Sequence, residues 1–402
     1  MRSPVPYQLV DDPSQLHTVA DALASGRGPY AVDTERASSF RYGDRAFLVQ
    51  IYRRGAGTFL IAPEGMREDV REKIGAVLNG QEWIIHAAGE DLRSLALLGL
   101  TPGRLFDTEL ASRLGGFDRP NLAAMVHRFV GVELEKGHGH EDWSRTPLPV
   151  SWRDYAALDV AYLHELAEGL AEYLDAAGKL EWAAQEFDHL IATHSQTAPP
   201  AKTWREVKGM ASVRTFSGMQ VARELWRTRD KIGRETDTSP SLVLSNRALV
   251  DIARAEPATA RELSAAAPSE RMPAREAKRW QTVVNSALAA DRSTWPQRKQ
   301  LDAAVPPSKS VWERTSPVSW DVLQRSRVGI SAVASDLRVQ PEVLLTPMNL
   351  RQMVWEAPVD GPALDTHLTA ERLRACGARP WQVAITAPVI ARAHAEALRS
   401  AD

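Results

Sequence analysis

The chain has one cysteine and no long apolar segment. Cys376 has no second cysteine to pair with, and no apolar run approaches the roughly 18 residues of a membrane-spanning helix. The N-terminal sequence MRSPVPYQLVDDPSQ lacks the apolar core of a signal peptide. The glycines do not follow the order of a P-loop or a dinucleotide-binding loop, which predicts that no dinucleotide cofactor is bound. We therefore expect a cytoplasmic protein that does not use a membrane as partner.

The formal net charge of −2 hides an uneven distribution of charge. Residues 1–200 contain 19 basic and 29 acidic residues, a net of −10, and residues 201–300 contain 19 basic and 11 acidic residues, a net of +8. A basic segment of this size is a candidate surface for a polyanion, and clustered acidic residues in an anion-handling enzyme suggest bound cations. Ordinary variation of surface charge is the alternative, and charge alone does not separate the two.

The first half of the chain alternates between strand and helix patterns, which predicts an α/β arrangement. The runs PYAVDTE, AFLVQIYR and GTFLIAP predict three neighbouring strands, and EWIIHAA predicts a fourth. Helices are predicted near residues 67–78 and in LRSLALL, DTELASRL and LAAMVHRFV. A long amphipathic helix is predicted from Ser151 to near Gly178, with Ser151 and Asp154 as its capping box.

The second half is predicted to be helical and internally repeated. The segment HSQTAPPAK at 194–202 has the composition of a linker. A weak repeat then appears at a spacing of 101 residues, and its register drifts upstream. The matching positions are Pro240, Val243, Leu244, Ser245, Leu249 and Pro257 with Pro341, Leu344, Leu345, Thr346, Leu350 and Pro358. We expect two related helical modules, joined near residues 296–308.

Three short motifs place acidic residues where they can converge. Alternation along a strand puts Asp33 and Glu35 on one face, and helical spacing puts Tyr155 and Asp159 on one face. Asp91 stands in the first turn of the helix that follows EWIIHAA. A D-x-E pair alone is typical of a solvated strand edge, so the prediction of a metal site depends on all three motifs together.

Such a set suits the hydrolysis of a phosphodiester. The reaction requires an activated water, a stabilised leaving oxygen and neutralised phosphoryl charge, and two divalent cations supply all three. Carboxylates are the ligands that Mg²⁺ and Mn²⁺ prefer. Tyr155 has an ordinary pKa of about 10, so its predicted role is to orient the attacking water rather than to act as a base.

The order of these motifs resembles the tyrosine-bearing branch of the DEDD exonuclease superfamily. Within that branch, HAAGEDLRSL and DWSRTPLPVSWRDYAALDVAYL resemble ribonuclease D, over residues 5 to 195. The histidine-bearing branch would have histidine one residue before Tyr155, where this chain has Asp154. The resemblance implies a ribonuclease-H-like mixed sheet flanked by helices, and a 3′→5′ exoribonuclease that releases 5′-mononucleotides.

The same resemblance implies how the site residues are used. Asp33 would bridge two divalent cations, Mg²⁺ or Mn²⁺. Glu35 and Asp159 would complete the cation on the nucleophile side, and Asp91 would reach the other, directly or through water. Arg36 departs from the family, which often has an apolar residue there, and we expect it to balance the carboxylates rather than to bind phosphate.

The basic segment resembles the HRDC domain shared by RecQ helicases and ribonuclease D. The similarity covers about residues 210–292, and PEVLLTPMNLRQMVWEAP and GARPWQ resemble a second, degenerate copy. Predicted phosphate contacts, without base-specific recognition, are Lys136, Arg223, Arg227, Arg229, Lys231 and Arg234. The predicted domains are a catalytic domain at 1–195, a linker at 196–208, an HRDC domain at 209–295 and a second HRDC-like domain at 305–402.

Several features are given structural interpretations. His86 is expected to be a core or supporting residue, His138 and His140 to lie in a loop, and most of Trp204, Trp226, Trp280 and Trp295 to fill a helical core. The predicted partner is RNA with a single-stranded 3′ end, such as a tRNA precursor, and the predicted state is a monomer. A DNA 3′→5′ exonuclease and a non-catalytic nucleic-acid-binding scaffold are the alternatives. The complete set of five residues argues against the scaffold, because clustered carboxylates repel one another without metal.

Overall fold

The computed structural model describes residues 5–134, 137–139, 141–194, 203–297 and 304–401. The predicted phosphate contact Lys136, the loop residue His140 and most of the linker lie outside the described residues. Within the described residues, no helix is long and apolar enough to cross a membrane.

The first region is built on a six-stranded mixed sheet, which confirms the predicted fold class. Its strands are β1 Tyr7–Val10, β2 Arg27–Arg36, β3 Ala46–Arg54, β4 Gly57–Ile61, β5 Glu82–Ile85 and β6 Arg104–Asp107. Their spatial order is β1-β4-β3-β2-β5-β6, with β3 antiparallel to both of its neighbours and the other pairs parallel. The three predicted neighbours are therefore adjacent. The strands β1 and β6 were not predicted from the sequence.

Helices cover the sheet and connect its strands. They are α1 Leu16–Ser25, α2 Arg67–Asp69, α3 Gly75–Leu78, α4 Leu92–Ala96, α5 Thr108–Leu114, α6 Leu122–Val130, α7 Val150–Ala161, α8 Leu163–Ala176 and α9 Leu180–His194. A π-helical segment, Val70–Ile74, joins α2 to α3, and a 3₁₀ turn, Pro13–Gln15, precedes α1. Helix α7 contacts β2, β3 and β4. A small core of Leu48, Leu60, Trp152, Ala156 and Ala157 lies between them.

The long helix predicted from Ser151 is two helices. Tyr162, with φ −115° and ψ 9°, departs from helical geometry and separates α7 from α8. The apolar periodicity continues across this break, so the pattern does not reveal it. The predicted capping box is also wrong, because the chain enters α7 from the extended residue Pro149 with no side-chain cap. The end of the helical stretch near Gly178 is confirmed.

The rest of the chain is helical. Its first part contains α10 Phe216–Glu235, α11 Pro240–Val243, α12 Asn246–Ala255, α13 Ala260–Ala266 and α14 Ala274–Ala289, with 3₁₀ turns at Trp204–Glu206, Met210–Ser212 and Arg292–Thr294. Its second part contains α15 Lys309–Thr315, α16 Pro317–Asp336, α17 Pro341–Leu344, α18 Pro347–Glu356, α19 Thr366–Ala375 and α20 Pro380–Ala401.

The 101-residue repeat is present in the backbone and extends further upstream than the sequence indicates. The helices α10, α11 and α12 begin 101 residues before α16, α17 and α18. The left-handed residues Asp237 and Arg338, at φ 48° and 53°, stand 101 residues apart after the first long helix of each copy. The register therefore holds in the structure where the side chains have diverged.

The two copies are anchored differently. The first copy has its own apolar core, which includes Trp204, Val207 and Trp280. The packed module thus begins before the predicted residue 209, because residues assigned to the linker belong to its core. The prediction that these tryptophans fill a core is confirmed for Trp204 and Trp280. The core of the second copy is continuous with the core of the first, sheet-containing region, where the Trp182 and Trp381 rings stack at 4.8 Å.

Candidate active site

Strand β2 and helix α7 bring three carboxylates together. Asp33 and Glu35 alternate with Thr34 along β2, and Asp159 lies one turn after Tyr155 in α7. One carboxylate oxygen from each of Asp33, Glu35 and Asp159 lies within 4.8 Å of the others. The set offers oxygen atoms only, which suits a hard divalent cation.

Asp91 approaches from the turn between β5 and α4. It is 4% exposed, and its carboxylate accepts a hydrogen bond of 2.5 Å from the Thr34 hydroxyl. The Thr34 hydroxyl also lies 3.1 Å from the Ser94 hydroxyl. Thr34 therefore ties Asp91 to the strand that carries Asp33 and Glu35. Asp91 is outside the group of three, but the structure places it beside them.

Burial and mutual repulsion favour the protonated forms of these carboxyl groups. Burial is the largest cause in each case, followed for Asp33 by the charges of Asp91, Asp159 and Glu35, which hold its pKa well above the usual range. The pKa of Glu35 is raised to about 9 by burial and then by Asp159 and Asp91. Burial raises the pKa values of Asp91 and Asp159 to about 7. Bound cations would relieve this repulsion, so the donor set fits a metal site.

Asp107 fixes the turn that carries Asp91. Its buried carboxylate accepts from the backbone N–H groups of Ala87 and Ala88, at 3.1 and 2.8 Å, and caps α5 through Glu109 and Leu110. Ala87 has φ 64°, a left-handed conformation that is unfavourable for alanine. The hydrogen bonds that Asp107 accepts from Ala87 and Ala88 compensate for that conformation. Asp107 was not predicted from the sequence, where its only signal is the N-cap pattern.

Tyr155 lies near Asp159 and against the backbone of Gly137. Burial, followed by the negative charges of Asp159, Glu35 and Asp33, raises the pKa of Tyr155 above its ordinary value. The phenol therefore keeps its proton. A Cβ at Gly137 would lie 1.9 Å from Cδ2 of Tyr155, and the His138 ring stands edge-on to the tyrosine at 5.9 Å. Only glycine at 137 allows this approach, a requirement that the sequence analysis missed.

Arg36 and His86 contact residues outside the carboxylate group. Arg36 lies 3.3 Å from Asp44 and 3.4 Å from Glu90, neither of which belongs to the carboxylate group, so its predicted role of balancing the site carboxylates stays a prediction. Nδ1 of His86 lies 2.9 Å from the Thr108 hydroxyl, and burial lowers the pKa of this histidine to about 4. His86 is not in the carboxylate group, which agrees with a supporting position.

The predicted phosphate contacts of α10 differ in exposure. Arg229 is 5% exposed and donates to the Leu244 carbonyl and to Asn246, so the prediction that it faces phosphate is wrong. Its position on α10 turns it toward α12 instead. Arg223 and Arg227 line a groove of about 480 Å³ between α10 and α14. Lys231 and Arg234 are exposed, with ion-pair partners one turn away at Glu235 and Asp230.

The chain matches three sequence families. Residues 7–175 match a family described as "3'-5' exonuclease", residues 218–282 match the "HRDC domain", and residues 305–394 match "3' to 5' exonuclease C-terminal domain". Ribonuclease D of Xanthomonas oryzae is 31% identical over 62% of this chain and 68% of its own length. Ribonuclease D of Granulibacter bethesdensis is 28% identical over 84% of each chain.

Solved structures agree with this assignment. A protein from Bifidobacterium adolescentis is 33% identical, covers 98% of this chain and 97% of its own, and superposes with a TM-score of 0.86. Ribonuclease D of Escherichia coli, at 23% identity, shares the fold with a TM-score of 0.68 over 92% of this chain and 98% of its own. Together with the acidic site, these similarities show that the chain belongs to the ribonuclease D family of 3′→5′ exoribonucleases.

Proposed function

We propose that Asp33, Glu35, Asp91, Tyr155 and Asp159 are the catalytic residues of this exoribonuclease. The observation that carries the proposal is the convergence of three carboxylates within 4.8 Å, with Asp91 tied to the same strand by Thr34. Asp33, Glu35, Asp91 and Asp159 would hold two divalent cations, Mg²⁺ or Mn²⁺. Buried carboxylates that repel one another are costly without such a partner.

The chemistry follows from the donor set. Two bound cations would supply an acidified water, neutralise the charge on the transferring phosphoryl group and stabilise the leaving oxygen. The Tyr155 hydroxyl, which keeps its proton, would orient that water toward the phosphorus. The water oxygen would bond to phosphorus as the bond from phosphorus to the 3′ oxygen of the preceding nucleotide breaks, and that 3′ oxygen would take up a proton. One nucleoside 5′-monophosphate leaves, and the shortened chain ends in a 3′ hydroxyl.

The substrate we propose is the 3′ end of a structured RNA such as a tRNA precursor. One support is the relative from Escherichia coli, which is described as an exoribonuclease involved in structured RNA processing. The other is the basic segment at 201–300, whose groove between α10 and α14 is lined by Arg223 and Arg227. Lys231, Arg234 and Lys136 stay candidate phosphate contacts. A monomer in the cytoplasm also stays a prediction, as do the domain limits given above other than the start of the first helical copy.

The test uses 5′-labelled single-stranded RNA and DNA of the same sequence, with Mg²⁺, with Mn²⁺ and with chelator. We expect an RNA ladder that shortens from the 3′ end only when metal is present. Asp33→Ala should abolish hydrolysis while the protein stays folded. Asp154→Asn is the matched control, because Asp154 precedes Tyr155 but interacts with Tyr7. Near-normal turnover by folded Asp33→Ala would refute the site, and faster digestion of DNA would refute the substrate class.

A further inference from the structure

Gln50 carries a buried amide that no protein group satisfies within the described part of the chain. It is 0% exposed in the middle of β3, and neither its Nε2 nor its Oε1 has a hydrogen-bond partner. In the sheet, Gln50 stands opposite Asp33 of β2 on one side and opposite Leu60 of β4 on the other. The unpartnered amide is therefore a cross-strand neighbour of a proposed metal ligand.

Alternation fixes the face on which this amide lies. Leu48 and Gln50 share a face of β3, and Leu48 stands opposite Glu35 as Gln50 stands opposite Asp33. Leu48 and Leu60 pack with Ala156 and Ala157 of α7. Gln50 therefore belongs to the row of side chains between the sheet and α7, the helix that also carries Tyr155 and Asp159. Directly opposite residues have Cβ atoms about 4.5 to 5.5 Å apart, within reach of a glutamine side chain.

A buried amide without a hydrogen-bond partner is energetically unfavourable at this position. Leaving a buried donor or acceptor unpaired costs roughly 1 to 3 kcal/mol, whereas an apolar side chain of similar shape has no such cost. Leu48, on the same face of β3, and Leu60, opposite Gln50 on β4, are apolar. A partner from outside the chain is therefore expected, and ordered water is the usual partner of buried polar groups.

We propose that Gln50 is a positioning residue of the carboxylate site, whose amide holds ordered water against Asp33 and thereby fixes that carboxylate for cation binding. The inference rests on the proposed metal site and adds to it a residue that touches neither cation. Partners of this kind orient metal ligands, and their removal typically weakens metal affinity by about 10- to 100-fold. The amide offers both a donor and an acceptor, so it can order water whatever that water contacts.

A purely structural explanation also has a basis in the structure. Nδ1 of the buried His164 is unpartnered, and its ring contacts Tyr52, two residues along β3 from Gln50. Water shared between Gln50 and His164 would stabilise the fold without affecting the carboxylates. The two explanations differ in what happens to metal affinity, and that difference decides the experiment.

The test compares the wild type with Gln50→Met, which keeps the length of the side chain and removes both hydrogen-bonding atoms. Mn²⁺ binding is measured by isothermal titration calorimetry on the full chain, and thermal unfolding is measured in EDTA. We expect Mn²⁺ affinity to fall at least about 10-fold while the melting temperature in EDTA stays within a few degrees of wild type. Leu60→Met, on the other side of Gln50 in the sheet, is the packing control and should bind Mn²⁺ as the wild type does.

The outcomes separate this inference from the proposed function. If the wild type itself binds no Mn²⁺, the metal site is refuted. If the wild type binds and Gln50→Met binds equally well, only the role of Gln50 is refuted. A Gln50→Met protein that is unfolded or strongly destabilised in EDTA would also refute it, because the amide would then be serving the fold. An equal loss of affinity in Leu60→Met would assign the effect to packing.

Discussion

Without bound cations, the catalytic region should lose stability as pH rises. A carboxyl group whose folded pKa is raised contributes stability that is fully present below its unfolded pKa and is lost as pH rises through its folded pKa. For Glu35 these limits are 4.5 and about 9, and for Asp91 they are 3.8 and about 7. The loss should therefore extend from mildly acidic to neutral pH and beyond.

The size of the effect follows from the number of retained protons. Each proton that the folded state binds and the unfolded state does not costs about 1.4 kcal/mol of stability per pH unit. One such proton, on Glu35, corresponds to roughly 3 kcal/mol between about pH 5 and pH 7. Retained protons on the other carboxyl groups would add to this loss of stability, so the figure for Glu35 alone is a lower limit.

The assay is urea denaturation in EDTA at several pH values, for the wild type and for Glu35→Gln. The variant has no titrating group at 35, so its stability should fall less steeply with pH by about one proton. Excess Mn²⁺ should stabilise the wild type increasingly as pH rises, since the ligands must be deprotonated to bind it. Stability in EDTA with the same pH dependence in both proteins would refute the assignment of a repulsive, metal-requiring cluster.

Three further perturbations address other parts of the molecule. Tyr155→Phe should lower turnover roughly 10- to 1000-fold while Mn²⁺ affinity measured by calorimetry is retained, since only the orienting hydroxyl is lost; full activity would assign Tyr155 a structural role. Gly137→Ala should reduce turnover because its Cβ would overlap the Tyr155 ring, whereas Gly139→Ala, which meets open space, is the control; equal activity of both would show that the loop can move aside. The double substitution Arg227→Glu and Lys231→Glu should weaken the binding of tRNA-sized RNA, measured by filter binding. The slope of log affinity against log salt should fall by about 1.5, as expected for two lost phosphate contacts. An unchanged slope would exclude this surface as the RNA-binding site.

The part of the site that sequence predicts is the part set by local periodicity. Asp33 and Glu35 share a face because side chains alternate between the two faces of a strand. Tyr155 and Asp159 share a face because residues four apart in a helix lie about one turn apart. The convergence of the two pairs was inferred from family resemblance, and the 4.8 Å group of Asp33, Glu35 and Asp159 agrees with it. Their catalytic roles stay proposals.

The residues that sequence did not reveal depend on neighbours distant in the chain. Thr34 matters because its hydroxyl meets Asp91, 57 residues away, and Gly137 matters because the ring of Tyr155 lies against its backbone. Nothing in a threonine between two acids, or in a glycine in a polar loop, indicates those contacts. The prediction that Arg229 contacts phosphate was wrong for the same reason, because the position of α12 determines which arginines of α10 are buried.

The two helical copies share a backbone arrangement but contact the catalytic region in different ways. The first copy meets the catalytic region through polar contacts, including Tyr42 to Asp230 at 2.9 Å and a two-pronged Arg45 to Asp237 ion pair at 2.9 and 2.7 Å. The second copy meets it through stacked tryptophans and the buried Arg379–Glu186 pair, within one continuous core.

Partly exposed ion pairs are weak and screened by salt, whereas removing a shared apolar core exposes large hydrophobic surface. The first copy is thus attached in a way that permits separation from the catalytic region, and it is also the copy that holds the excess positive charge. The second copy cannot be deleted without opening the core of the catalytic region. A chain cut after residue 200 would therefore lose core packing as well as the basic module, which is why charge substitutions on α10 separate RNA binding from folding and a truncation does not.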